Sequence, residues 1–364
     1  MHKKIIVGLY FQSLSRKGGG AEKNIIWLSN ELTKKNFEVH LISWDRLDNK
    51  SFYSLSNKVK WHKMNGNNFK LNKIQKLIRL NSLFKKNKIN LLIGFVMSGD
   101  GTLFLSSILN KVKIICAERN EPSMYEILYS PIRKKINFTM MQLATYIIIQ
   151  QEIFKKYYPK TLQKKILTIP NPVFKEKNIN NICQVLEKEK ILFVGRLERK
   201  QKRPMLLLKA FNEIKNKIPN WTLDFVGDGE EKSIMEDFIK KNDLMTKVKI
   251  FNTNKNINDF YNNSSIFITT SLWEGFPNSL TEAMHHGLAC IGSSDSIAIK
   301  NLLDKDCGWL IYNFEENSFG QEIIKCIMNK DERLEKGINA RNKINEYRSE
   351  KIFKLWENLI LSFE

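Results

Sequence analysis

The 364-residue chain has no apolar run approaching the ~20 residues that a membrane-spanning helix needs. Met1-His-Lys-Lys before Ile5-Ile-Val7 resembles a signal peptide only faintly. Its apolar stretch is short and breaks at Gln12-Ser13, so it reads as a first strand, and the chain is expected to stay in the cytoplasm. Cysteine is sparse: Cys116, Cys183, Cys290, Cys307 and Cys326 are odd in number and lack Cys-x-x-Cys spacing. That excludes a disulfide framework and a thiolate zinc site, and leaves reduced thiols. Histidine is equally scarce, and His285-His286 has no third ligand nearby, so no metal is expected. Acidic residues are scarce in one half: residues 1–170 hold 30 Lys/Arg against 10 Asp/Glu, whereas the remainder is nearly balanced within a net charge of +21. Such asymmetry points to an anionic partner for the first half.

What is present is globular: 42% hydrophobic and 27% charged residues, and a length that suits two domains. Short apolar runs alternate with helical stretches. Lys4–Phe11, Phe37–Trp44, Leu91–Val96, Lys113–Ala117 and Tyr146–Gln150 read as strands, Ala21–Lys35 as a helix, and Leu71–Lys86 as a basic amphipathic helix. This alternation predicts a parallel, doubly wound α/β sheet. Ile169-Pro-Asn-Pro172 and a polar stretch interrupt it, and a second α/β series starts at Lys190-Ile-Leu-Phe-Val194. It continues through Trp221–Val226, Val248–Phe251, Ser265–Thr270 and Leu288–Ile291. The predicted domains are 1–170 and 171–348, with 349–364 a final helix anchored by Trp356.

The most informative segment is Trp273-Glu-Gly-Phe-Pro-Asn-Ser-Leu-Thr-Glu-Ala283. It places Glu274 in a Gly/Pro-marked loop after an apolar strand, and Glu282 inside the following helix. A helix mouth carries free N–H groups and the positive end of the dipole, so it suits a phosphate. A carboxylate on either side suits the paired hydroxyls of a sugar and a ribose. Phe193-Val-Gly-Arg-Leu197 also follows a strand. Arg196 offers a planar fork of donors for phosphate, and Lys200 or Lys202 adds a point charge.

These residues resemble the Glu-Gly-Phe-Pro…Glu-Ala signature of the retaining glycosyltransferases of family 4, which have the GT-B fold. The resemblance implies two Rossmann-like domains facing a central cleft, with the nucleotide sugar on the C-terminal domain and the acceptor on the N-terminal one. The family's roles fall on Glu274, which faces the donor sugar, and on Glu282, which holds the ribose. Arg196 and a lysine, favoured as Lys202, grip the diphosphate and stabilise it as it leaves. Gly195, Gly275, Phe276, Pro277, Asn278, Ser279 and Leu280 line the donor, and Phe251-Asn252 falls near the base. Gly227-Asp-Gly229 matches a family glycine pair and reads as turn chemistry.

In the first half, Arg16-Lys-Gly-Gly-Gly-Ala-Glu22 lacks the Gly-x-Gly-x-x-Gly spacing that a dinucleotide fold with Asp45 as ribose acid would need. It is similar instead to the family's first loop, which places Gly19 and Gly20 against the donor phosphate. Glu118-Arg119-Asn120 follows a strand. Burying these polar side chains unpaired would be costly, so they read as a cleft edge or an exposed loop. The resemblance assigns them to the acceptor side, although the family's frequent histidine is missing. Asp304-Lys-Asp306 has a Mg²⁺-type spacing but reads as a turn.

The implied activity is transfer of a hexose or N-acetylhexosamine from a UDP-sugar to a glycan acceptor, with no metal and no cofactor besides the donor. A lipid-linked acceptor would explain the basic first half as a hold on an anionic membrane surface at the cytoplasmic face. The rival readings are an epimerase or hydrolase on the same fold, or a basic nucleic-acid-binding protein, for which no recognition motif is present.

Overall fold

The computed structural model describes the chain except residues 1–3, 16–18, 66–70, 98, 177–178, 180 and 254–255. Arg16, Lys17 and Gly18 of the glycine loop therefore lie outside the described residues. The chain divides into two compact units, Met1–Pro172 with Glu350–Glu364, and Val173–Ser349. The division falls just after the second proline of Ile169-Pro-Asn-Pro172, two residues beyond the expected boundary at 170.

The first unit is a seven-stranded parallel sheet in the order β3-β2-β1-β4-β5-β6-β7. Its strands are β1 (Ile6–Tyr10), β2 (Glu38–Arg46), β3 (Lys60–Asn65), β4 (Leu91–Phe95), β5 (Lys113–Ala117), β6 (Tyr146–Ile149) and β7 (Ile166–Thr168). The main helices are α1 (Gly20–Lys34), α2 (Lys73–Lys86), α3 (Gly101–Leu109), α4 (Met124–Leu128) and α5 (Pro131–Met141), with the short α6 (Lys160–Gln163) near β7. The central strands are buried on both faces and read as unbroken apolar runs, as parallel sheets require.

Strand order reverses at β1/β4. Right-handed crossovers therefore put α1 on one face of this sheet and α2, α3 and α5 on the other.

The second unit holds a six-stranded parallel sheet, β10-β9-β8-β11-β12-β13. The strands are β8 (Lys190–Val194), β9 (Thr222–Val226), β10 (Val248–Phe251), β11 (Ile266–Thr269), β12 (Ala289–Ser293) and β13 (Trp309–Ile311). The helices are α7 (Ile182–Leu186), α8 (Pro204–Ile214), α9 (Lys232–Lys241), α10 (Ile257–Asn262), α11 (Asn278–His286), α12 (Ile297–Leu302), α13 (Glu316–Met328) and α14 (Lys330–Ile344). Two cores sandwich the sheet, one under α8, α9 and α13 and one under α11, α12 and α14. Here the order reverses at β8/β11.

The last helix, α15 (Ser349–Leu361), returns to the first unit. It buries Ile352, Phe353, Trp356 and Ile360 in the core that also contains Ile25 and Leu28 of α1. Trp27 meets Phe353 edge to face at 6.3 Å. Among the described residues no helix is long and apolar enough to cross a membrane.

Candidate active site

In an open parallel sheet, ligands sit beyond the carboxyl ends of the strands where the order reverses, because the flanking connections leave on opposite faces and open a crevice. In the second unit the loops at that point are Gly195–Arg203 after β8 and Thr270–Pro277 after β11. They contain Arg196, Lys202 and Glu274.

Hydrogen bonds to backbone carbonyls bind the two loops together. Leu272 N–H donates to the Gln201 carbonyl at 2.8 Å, and Gln201 Nε2 donates to the Trp273 carbonyl at 2.9 Å. Thr270 Oγ1 donates to the Lys202 carbonyl at 2.6 Å, and Arg203 Nε donates to the Thr270 carbonyl at 2.8 Å. Arg203 itself sits at φ 49°, ψ 50°, a left-handed conformation that disfavours a side chain by roughly 1–2 kcal/mol. Its guanidinium anchors that strain on Ser293 Oγ (3.1 Å) and Asp295 Oδ2 (2.6 Å). Sequence reasoning missed Arg203. The one signal was its place before Pro204, which denies the preceding residue the ordinary helical region.

The loop geometry separates the two candidate lysines. Lys202 Nζ donates to Glu274 Oε1, and both side chains are largely buried. Lys200 is exposed. Arg196 is exposed as well, lying beside Glu198 Oε1 (3.0 Å) and donating to Gln201 Oε1 (2.8 Å), so its fork already faces the same loop.

The glycine pair is required by close backbone approach. A Cβ at Gly227 would stand 1.9 Å from the Gly195 carbonyl oxygen, and one at Gly229 would stand 2.2 Å from that of Leu197. The Gly195 and Leu197 N–H groups donate to Val226 and Asp228 carbonyls at 3.1 and 3.0 Å. Gly227–Gly229 thus props the Arg196 loop from below. Beyond it, Thr253 N–H donates to Asp228 Oδ2 at 3.0 Å, and Phe251 packs edge to face on Phe260 at 4.9 Å. Asn252 Oδ1 accepts from Lys232 Nζ.

Helix α11 begins at Asn278, with Pro277 at the N-cap supplying no side-chain cap. The first intrahelical bond runs from Thr281 N–H to the Pro277 carbonyl (3.0 Å), so the Ser279 and Leu280 amides have no acceptor within the helix. Before this mouth, Gly275, Phe276 and Pro277 are buried, and Phe276 meets Tyr347 edge to face at 5.3 Å. One turn in, Glu282 Oε2 accepts from the buried Tyr261 hydroxyl at 3.1 Å; the same hydroxyl lies 3.1 Å from the Ser279 carbonyl. Burial and the neighbouring Glu282 both raise the Tyr261 pKa, so it stays a donor. His286 stacks on Tyr261 at 5.0 Å and donates through Nδ1 to the Glu282 carbonyl at 2.9 Å. The helix ends at Gly287, in the left-handed region.

In the first unit, Gly19 is the N-cap of α1, where Glu22 folds back so closely that a Cβ would sit 1.8 Å from its Oε2; Gly20 opens the helix. Asp45 is engaged by the loop after β1: Ser13 and Ser15 hydroxyls (2.7 and 2.8 Å) and the Leu14 N–H (2.7 Å) all donate to it. It ties the loop after β1. Burial alone would raise its pKa, but these donors outweigh burial and lower it.

Of the two readings of Glu118-Arg119-Asn120, a cleft edge or an exposed loop, the exposed loop does not hold: Glu118 and Arg119 are buried, and Asn120 is half-buried. Their burial is tolerable because partners arrive from elsewhere. Tyr125 hydroxyl donates to Glu118 Oε2 at 2.5 Å. The Arg119 guanidinium lies 3.7 Å from the Phe95 ring centroid and donates to Asn171 Oδ1 at 3.2 Å. Burial lowers the Arg119 pKa to about 9 despite Glu118 alongside. At the reversal point of this sheet the sequence reading also overlooked Tyr10, whose hydroxyl lies 3.4 Å from Asp100 Oδ2 and accepts from Trp44 Nε1 at 3.1 Å. Asp304–Asp306 forms a turn held by Lys343 (2.8 Å).

Residues 174–343 match the family described as Glycosyl transferases group 1, and residues 22–150 match Glycosyl transferase 4-like. The chain is 23% identical, over 94% of its length and 95% of the relative's, to a Campylobacter jejuni protein. That protein is named GalNAc-alpha-(1->4)-GalNAc-alpha-(1->3)-diNAcBac-PP-undecaprenol alpha-1,4-N-acetyl-D-galactosaminyltransferase. It is 33% identical, over 50% of the chain and 49% of the relative, to an Escherichia coli UDP-Gal:alpha-D-GlcNAc-diphosphoundecaprenol alpha-1,3-galactosyltransferase. Its fold is similar to that of the pneumococcal O-GlcNAc transferase GtfA, solved with UDP and GlcNAc. The TM-score is 0.80, at 14% identity over 100% of this chain and 99% of that one.

Proposed function

Because this chain is a glycosyltransferase of the GT-B fold, we propose that it moves a hexose or N-acetylhexosamine from a UDP-sugar to a lipid-linked glycan, retaining the anomeric configuration. The product belongs to a bacterial surface polysaccharide, lipooligosaccharide or glycoprotein glycan. The observation that carries the reading is the convergence of Lys202, Glu274, Arg196 and the mouth of α11 at one strand-order reversal.

In this reading Arg196, Lys202 and the first-turn amides of α11 hold the donor diphosphate. Glu282 takes the ribose hydroxyls, oriented by Tyr261. Glu274 keeps Lys202 in place until the diphosphate arrives, and then faces the sugar hydroxyls. The sugar C1–O bond to phosphate breaks while a C1–O bond to the acceptor hydroxyl forms on the same face. The acceptor proton passes to the departing phosphate oxygen. The donors above stabilise the negative charge that develops there, so no step requires a metal.

The first unit serves the acceptor. Asn120 offers it a polar side chain, and the buried Glu118 and Arg119 fix the loop that carries Asn120. The Campylobacter and Escherichia relatives carry undecaprenyl-linked acceptors in their names, which supports a lipid-linked acceptor.

Incubation with UDP-hexoses or UDP-N-acetylhexosamines and a polyprenyl-diphosphate-linked oligosaccharide tests this. The expected result is acceptor-dependent UDP release and an α-linked product by NMR. Equal UDP release without acceptor would mark a hydrolase, and an isomerised donor an epimerase.

A further inference from the structure

Arg203 stands between Lys202 and Pro204, the first residue of α8, with its backbone in the left-handed region. Glycine would adopt that turn freely. A strained arginine persists there only where its surroundings hold it. The guanidinium reaches along the carboxyl edge of the second sheet. Its Nε donates to the Thr270 carbonyl just past β11. Its Nη2 donates to Ser293 Oγ at the end of β12 and to Asp295 Oδ2 in the turn beyond. The same group lies 4.8 Å from the ring centroid of Phe314, in the segment after β13. Strands β8, β11, β12 and β13 lie in this order in the sheet, so one side chain pins the loop after β8 to the ends of the others.

The main chain is fixed at the same place. Arg203 N–H donates to the Glu198 carbonyl at 2.9 Å and closes the loop on itself. The hydroxyl of the buried Thr270 lies 2.6 Å from the Lys202 carbonyl and 3.0 Å from that of Arg203. A lysine stem is flexible, so the direction in which it leaves the backbone decides where its ammonium can reach. From this fixed start the Lys202 ammonium reaches Glu274.

We propose that Arg203 is a positioning residue for the donor diphosphate: it sets the backbone from which Lys202 reaches the phosphates, and it acts through that lysine alone. The proposal rests on the reading that Lys202 holds the diphosphate. Only 20% of the Arg203 side chain is exposed, against 64% for Arg196. With Nε and Nη2 on protein oxygens, the Arg203 guanidinium is committed to the fold, and Arg196 and Lys202 are left to meet the ligand. Asp295 supplies the opposite charge that holds it.

Arg203→Gly tests this in the full chain, because glycine keeps the left-handed turn at no steric cost and deletes every side-chain anchor. Relief of strain offsets part of the lost contacts, so the thermal midpoint should stay near that of wild type. UDP affinity should fall about tenfold, the scale of one hydrogen bond to a charged group. Uridine affinity should not change, and ligand-observed NMR titration reads both. Turnover at saturating donor should fall with UDP affinity. In a Lys202→Ala background the same substitution should cost less than about twofold, because residues that act through one another are not additive. Asp295→Asn, which leaves Arg203 in place, should weaken UDP about threefold with the same indifference to uridine, and it decides the matter if Arg203→Gly does not fold.

Parallel losses for UDP and uridine would mark general damage and overturn the proposal. So would losses that add to those of Lys202→Ala, or wild-type UDP affinity in Arg203→Gly. Lys202→Ala alone separates this claim from the reading beneath it. If Lys202→Ala weakens UDP and Arg203→Gly does not, only the positioning role falls. If Lys202→Ala leaves UDP affinity unchanged, the diphosphate reading falls and the positioning role falls with it.

Discussion

Lys202 Nζ donates to Glu274 Oε1, joining the loop after β8 to the loop after β11 at the reversal of the second sheet. Both side chains are largely buried, so their pairing offsets part of the cost of leaving water. A bound diphosphate would compete with Glu274 for the same ammonium.

Lys202→Ala should therefore lower turnover at saturating donor by about 10²–10³, the scale of losing one preorganised donor to a developing anion. Lys200→Ala, at an exposed position, should change it less than about threefold. Steady-state kinetics on both variants, with Arg196→Ala alongside, check the assignment. A larger loss at Lys200 than at Lys202 would reverse it.

Gly227→Ala should be among the most damaging small substitutions, because its Cβ would fall 1.9 Å from the Gly195 carbonyl oxygen. Backbone must move to accommodate it, at a cost of about 2 kcal/mol or more. Urea unfolding measures that loss. Donor affinity should fall with it, since the same contact props the Arg196 loop.

Tyr261→Phe removes the hydroxyl that donates to Glu282 and leaves the ring to pack. UDP affinity should fall by about three- to tenfold, the scale of one ordinary hydrogen bond. Affinity for inorganic diphosphate should not change. Equal losses for UDP and diphosphate would place Glu282 away from the ribose.

Acid should destabilise the fold before most carboxylates titrate. Burial lowers the pKa of His285 and of His62 to about 4, below the 6.5 of the unfolded chain. The unfolded state therefore binds protons first. The stability these two groups confer is complete above pH 6.5 and is lost as pH falls toward 4. Between pH 7 and 5.5 each should cost about 1 kcal/mol of unfolding free energy. Chemical denaturation at the two pH values checks this, and His285→Gln should show the smaller loss.

The interior strands were legible because a strand covered on both faces must be continuously apolar: Lys190–Val194 and Lys113–Ala117 stand where the sequence puts them. Strand β3, Lys-Trp-His-Lys-Met-Asn, was not legible, because it lies at the sheet edge and is largely polar. Strands β7 and β13 are edge strands of three residues, too short to show a period. At the site, the Glu274–Glu282 segment and the Arg196 loop could be read from local order. The burial of Glu118 and Arg119 could not, since Tyr125, Asn171 and Phe95 reach them only through the fold. Arg203 and Tyr261 were missed for the same reason: their partners lie on other strands and helices.

The central claim is a UDP-sugar site on the second unit, and thermal denaturation with UDP, GDP, ADP and a panel of UDP-sugars tests it most directly. Wild type should be stabilised by UDP or by one UDP-sugar, with Glu282→Ala losing that shift while keeping its ligand-free midpoint. No shift with any nucleotide, or an undiminished shift in Glu282→Ala, would contradict the account.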